Sequence, residues 1–217
     1  MTLLKPLNLV IVFWLAATIS TLFYDGLLDK FIAIIGFVFS YFSITIIRRI
    51  LEKDRVNRHD ILTFALSSSI AISSFWTLVF YPALMSPDSL DQWRQATQNR
   101  YNTWHPPIMA ILMRLTQIFS KDPALFAFIQ GFLFWLALFV VLGRLARSNK
   151  SYLVSCAWLV SLPSLWPYTS TLWKDVWTCT MALLGINFLL DAIETRKQRN
   201  NSSYYLTVSL LLFSLAV

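Results

Sequence analysis

Seven stretches of this chain are apolar almost throughout, with short polar connections between them: residues 7–24, 31–47, 61–82, 124–142, 152–168, 176–190 and 205–217. Each approaches the ~20 residues that a helix needs to cross a bilayer. Inside a bilayer the backbone must satisfy its own hydrogen bonds, and a helix does so within one segment. The pattern therefore predicts an all-α fold, a polytopic transmembrane bundle of about seven spans. With no internal repeat, low-complexity segment or flexible linker, residues 1–217 read as a single domain. The first run follows Lys5, but it is long for a signal peptide and a second run follows almost at once, so an uncleaved span is expected. The last run stops while still apolar, which fits either a C-terminal truncation or a chain that ends inside the membrane.

Residues 106–119 break the pattern. The stretch is short for a span and carries Arg114 in its middle, while Ile108, Ile111, Leu112, Leu115 and Ile118 recur at helical spacing. If it crossed the membrane, Arg144, Arg147 and Lys150 would be carried to the outer side. It is predicted to be an amphipathic helix lying on the membrane surface; the alternative is a short span with a snorkelling Arg114. A long loop, residues 83–123, then holds two amphipathic surface helices, roughly 87–99 and 107–119, joined by the turn YNTWHPP.

Composition supports the membrane reading. Hydrophobic residues make up 57% of the chain and charged residues 13%, against about 25% charged in a soluble domain, and the mean hydropathy is +0.59. The net charge of +7 resides largely in connections, at 48–59, 143–150 and 194–199. Basic connections of this kind face the cytoplasm. The N-terminus is then cytoplasmic, and the loop at 83–123 and the link at Lys174–Asp175 face outward in a multi-pass plasma or inner-membrane protein. Cations spread in this way orient spans and do not predict a nucleic-acid partner. The two cysteines, Cys156 and Cys179, lie within spans and supply neither a disulfide framework nor a zinc spacing.

The outward loop gathers the ionisable chemistry. Ser86 is a good N-cap, Pro87 fits the first helical position, and Asp88 falls in the first turn. There the helix dipole and free N–H groups favour a carboxylate. Asp91, Gln92 and Gln95 follow at three, four and seven positions, on the face that Asp88 shares. Acids backed by amides suit a general base or a metal ligand; the same residues also make an ordinary, solvated helix start. Pro106 holds His105 in an extended backbone. Trp104 and Tyr101 fit a sugar-stacking platform or an interfacial aromatic belt. Arg94 and Arg100 can pair with lipid phosphate or balance the acids. A second cluster, Lys174–Asp175, stands where an outward link re-enters the membrane, as a functional pair or a self-contained ion pair.

Taken in order, Pro87–Asp88, His105–Pro106–Pro107 with the amphipathic helix after it, and the later outward Asp175 resemble the GT-C membrane glycosyltransferases. The group with protein O-mannosyltransferases and aminoarabinose transferases is the nearest in pattern. The resemblance spans residues 83–190, and each motif is short, so its specificity lies in the combination. It implies transfer of a sugar from a polyprenyl-phosphate donor to a glycan, lipid or protein acceptor on the extracytoplasmic face, with a divalent metal assisting in some members. By position, Asp88 would be the catalytic base, with Asp91 one turn later in the place of a second acid. His105 and Asp175 would position the donor phosphate or, with Asp88, a metal on it. Lys174 or Arg94 would neutralise the leaving phosphate, and Gln92 and Trp104 would bind substrate. Two departures stand out. Asp88 is followed by Ser89 where many relatives have adjacent acids, and two spans precede the loop where one is usual. The resemblance also implies that the chain is an amino-terminal portion, since such enzymes carry further spans.

Two other classes share the hydropathy pattern. A flippase or accessory subunit would use the surface helices to grip a polyprenyl lipid without catalysis. A small-solute transporter would show polar or helix-breaking residues at mid-span, whereas the conspicuous charges here cluster at one membrane surface.

Overall fold

The computed structural model describes residues 14, 27–52, 57–102, 107–197 and 203–215. Their regular elements are all helices: α1 (Leu27–Glu52), α2 (Arg58–Val79), α3 (Pro87–Gln98), α4 (Pro107–Thr116), α5 (Ala124–Leu145), α6 (Asn149–Ser161), α7 (Leu165–Ser170), α8 (Lys174–Lys197) and α9 (Ser203–Leu215). Four helices among the described residues are long and apolar enough to cross a membrane: α1, α2, α5 and the Lys174–Thr195 part of α8. A helix of 22 residues, the length of α2 and α5, extends about 33 Å and matches a hydrocarbon core about 30 Å thick.

Two of the seven expected runs do not form a single helix of spanning length among the described residues. The run at 152–168 is not one helix: α6 stops at Ser161, and α7 has only 6 residues. Pro163 is the cause, because its ring disfavours the α conformation at the residue before it. Leu162 accordingly takes φ −74° and ψ 110°. The run at 205–217 yields a helix of 13 residues, short for a span. The run at 7–24 lies outside the described residues apart from Trp14, which packs against Phe75.

The helices pack in the order α1, α2, α5, α8, α9, with the broken α6–α7 pair lying against α1, α2 and α5. At one end Asn149 Nδ2 donates to the Ile50 carbonyl at 2.7 Å, and Arg144 pairs with Asp191 at 2.6 Å; this is the basic end. The α3–α4 hairpin covers the other, the loop end. Small residues bring α1 and α2 close, as membrane helices require. A Cβ on Gly36 would stand 2.6 Å from Ser74 Cβ, and Ser43 Oγ donates to Ser67 Oγ at 3.0 Å. Two larger apolar clusters fill the interior, one around Phe64, Trp135, Phe139 and Tyr152, the other beneath the hairpin around Met109, Met113, Phe126 and Trp177.

The second surface helix is shorter than expected and oriented differently. Its α-helical part ends at Thr116, and Met109, Ala110, Met113 and Thr116 face the bundle. Most of the predicted stripe points away: Ile111, Leu115 and Ile118 are 40%, 52% and 71% exposed, beside Phe119 at 81%. The helix is apolar on two sides, one seated on the protein and one open.

Candidate active site

The link between α7 and α8 builds the site. After α7 the chain extends through Thr171, and its backbone pairs with the segment entering α3. Leu84 N–H donates to the Ser170 carbonyl at 3.1 Å, and Leu172 N–H donates to the Leu84 carbonyl at 3.0 Å. Gln130 of α5 supports this joint from within, donating from Nε2 to the Thr171 carbonyl at 2.7 Å. Gly131 leaves room beside it, since a Cβ there would lie 3.3 Å from the Thr169 carbonyl.

The joint brings two helix N-termini together. Ser86 caps α3 by accepting from Ser89 N–H at 3.2 Å, Pro87 occupies the first turn, and Asp88 is in that turn. The buried Ser89 hydroxyl donates in turn to the Leu172 carbonyl. Asp88 therefore stands one residue before this contact on α3, and Asp175 three residues after it, in the first turn of α8. Both carboxylates, together with Lys174 and Arg94, are exposed. No ion pair joins Lys174 to Asp175 among the described residues, so the self-contained pair is not formed.

The polar face of α3 is split. Asp91 is half-buried and accepts from Gln95 Nε2 at 2.7 Å, while Gln95 Oε1 accepts from Asn102 N–H at 3.2 Å and fixes the exit of the helix. Asn99 ends it in the left-handed conformation, at φ 52°. Gln92 turns away from the solvent that Asp88 faces. It is 2% exposed, and its Nε2 has no hydrogen-bond partner among the described residues. Trp104 and His105 lie outside the described residues. Among the described residues no three of His, Cys, Asp and Glu come together as a metal-binding set.

One polar cluster at this end went unforeseen. Asp29 sits in the first turn of α1 and is fully buried. It lies against Tyr81, whose hydroxyl donates to Asp122 Oδ2 at 3.0 Å. A phenol has one proton to give, and neither Asp29 oxygen has a well-formed hydrogen bond among the described residues. Asp122 Oδ1 accepts from Ala124 N–H at 2.9 Å and so starts α5. Burial, and then the bond to Asp122, push the Tyr81 hydroxyl above its ordinary range and keep it protonated. The signal in the sequence was an acid at the edge of each of two apolar runs.

Comparison with protein-family models, with curated proteins and with solved structures returned no match to this chain.

Proposed function

We propose that this protein is a membrane glycosyltransferase that moves a sugar from a polyprenyl-phosphate donor to an acceptor on the extracytoplasmic face. The observation that carries the reading is the Ser89–Leu172 joint, which couples the helix starts bearing Asp88 and Asp175. Asp88 is exposed, as a base that must reach an acceptor hydroxyl has to be. The donor phosphate would meet the N-termini of α3 and α8, where free N–H groups and the helix dipole favour an anion, with Lys174 and Arg94 as cations for the leaving group. Gln92 would hold a polar substrate group, and His105 and Trp104 would complete the site from the turn between α3 and α4. A divalent metal would be held by Asp88, Asp175 and His105 and would neutralise phosphate charge.

A second reading rests on a different feature. Between α4, α5 and α8 lies a cavity of about 250 Å³ lined by Leu112, Leu115, Phe119, Phe126, Ile129 and Trp177. It opens beside the exposed apolar side of α4 and suits an isoprenoid chain. A carrier-binding protein without catalysis would need this cavity and not Asp88.

Asp88→Asn separates the two, because asparagine is nearly isosteric with aspartate and leaves the Ser86 cap in place but cannot take a proton. With purified protein in nanodiscs, a radiolabelled polyprenyl-phosphate sugar and crude membrane acceptors, the wild type is expected to release lipid phosphate. Asp88→Asn is expected to lose about 10²–10⁴-fold in rate, the usual contribution of a general base. Equal turnover by both would reduce Asp88 to a first-turn residue of α3 with no catalytic part. Binding without turnover by either would favour the carrier-binding protein.

A further inference from the structure

A groove at the basic end belongs to neither reading. It lies between α2, α5 and α8, encloses about 470 Å³, and is walled by Leu62, Leu66, Leu136, Val140, Leu184 and Phe188. Its size falls within the roughly 300–1,000 Å³ of ligand sites. All three helices are long and apolar enough to cross a membrane, and in a bilayer the apolar walls would face its hydrocarbon. At its mouth are Arg58, Arg144, Asp191 and Glu194. Asp175 is at the opposite end of α8, and Asp88 is on α3 at that same loop end.

The charges at the mouth are unevenly matched. One carboxylate oxygen, Asp191 Oδ1, serves two guanidinium groups, Arg144 at 2.6 Å and Arg58 at 2.7 Å. Arg144 is held further by Asn187 Oδ1 at 3.0 Å and Glu194 at 3.3 Å. Arg58 shares its only ion-pair partner among the described residues, and its side chain is 69% exposed. The two arginines and two carboxylates balance in formal charge, but Arg144 draws on both acids while Arg58 shares a single oxygen, so most of the N–H donors of Arg58 point out of the mouth unused among the described residues. Exposed Arg48, Arg49 and Lys150, near the ends of α1 and α6, make this end of the bundle basic. An anion on Arg58 with an apolar tail running up the groove answers both features. Basic pockets between membrane helices take lipid headgroups in this way.

We propose that the groove between α2, α5 and α8 docks one anionic phospholipid of the surrounding bilayer, its phosphate on Arg58 and an acyl chain against Leu62, Leu66 and Phe188. The lipid ties α2 to α8, which share no direct ion pair at this end except Arg58–Asp191 among the described residues. The proposal does not depend on sugar transfer, and its readout is lipid retention.

The test uses native mass spectrometry of the full chain released from micelles containing phosphatidylglycerol or phosphatidylcholine with matched acyl chains. The wild type should retain one phosphatidylglycerol in preference to phosphatidylcholine. Arg58→Gln should lower that retention about tenfold, the loss of one charge-assisted bond. Arg147→Gln removes an equal charge from the same end, outside the groove, and should leave retention unchanged. Leu66→Trp, which fills the groove, should reduce retention of both lipids. Equal retention of the two lipids by the wild type would overturn the proposal. So would equal losses in Arg58→Gln and Arg147→Gln, which would mean a diffuse field, or no effect of Leu66→Trp. A dimer mass without bound lipid would overturn it in favour of a second copy covering the groove.

Discussion

Gln92 faces inward with an amide nitrogen that no group among the described residues holds. An unsatisfied buried donor costs about 1–3 kcal/mol, and replacing it with an apolar group of similar shape is neutral or stabilising. Gln92→Leu is therefore expected to leave the protein at least as stable as wild type, within about 1 kcal/mol or better, in thermal unfolding in detergent. The same substitution should weaken donor binding if the amide receives a substrate oxygen. A destabilised protein with unchanged binding would make Gln92 a packing residue. Only part of this residue-scale picture was legible in the sequence. The cap formed by Ser86, Pro87 and Asp88 follows from local chemistry and is formed as expected. The inward turn of Gln92 and Gln95 and the burial of Asp29 depend on which face the bundle covers, and no local pattern encodes that. The acids at residues 29 and 122 meet at Tyr81 only after three helices have packed.

The helices themselves owe their positions to hydropathy and small residues. Long apolar runs give α1, α2, α5 and α8 directly, because a segment of that length and character has few other stable states in lipid. The same signal overstates the run at 152–168, where one proline outweighs the apolar residues on either side and divides it into α6 and α7. That break has a structural consequence: it sets the extended stretch at Thr171 beside Leu84, and the site joint forms there. Close approach of α1 to α2 depends on Gly36, which leaves space for Ser74 and for the Trp14 ring. Gly36→Val would push into both and is expected to cost about 1–3 kcal/mol by overpacking. The cost should appear as a lower unfolding temperature, with the helix content of the folded state unchanged. Stability equal to wild type would show that the α1–α2 contact is loose.

Across the whole molecule, chemistry and orientation separate along the helix axes. The loop end carries Asp88, Asp91, Lys174 and Asp175, and the basic end carries Arg58, Arg144 and the arginines and lysine around them. Charge distribution in the sequence anticipated this division, since basic connections and the acid-bearing loop alternate along the chain. It did not anticipate the groove, whose walls come from three separated helices. The central claim is that α3 and the start of α8 form one surface on the extracytoplasmic side. Single cysteines at Leu90 and Lys174, both exposed, test it in a Cys179→Ser background, with Cys156 left in place because it is buried. Arg147→Cys reports the other end. A membrane-impermeant thiol reagent added to intact cells should label Leu90→Cys and Lys174→Cys but reach Arg147→Cys only after the membrane is opened. Labelling of Leu90→Cys and Lys174→Cys from opposite sides, or of both only after opening, would contradict the account.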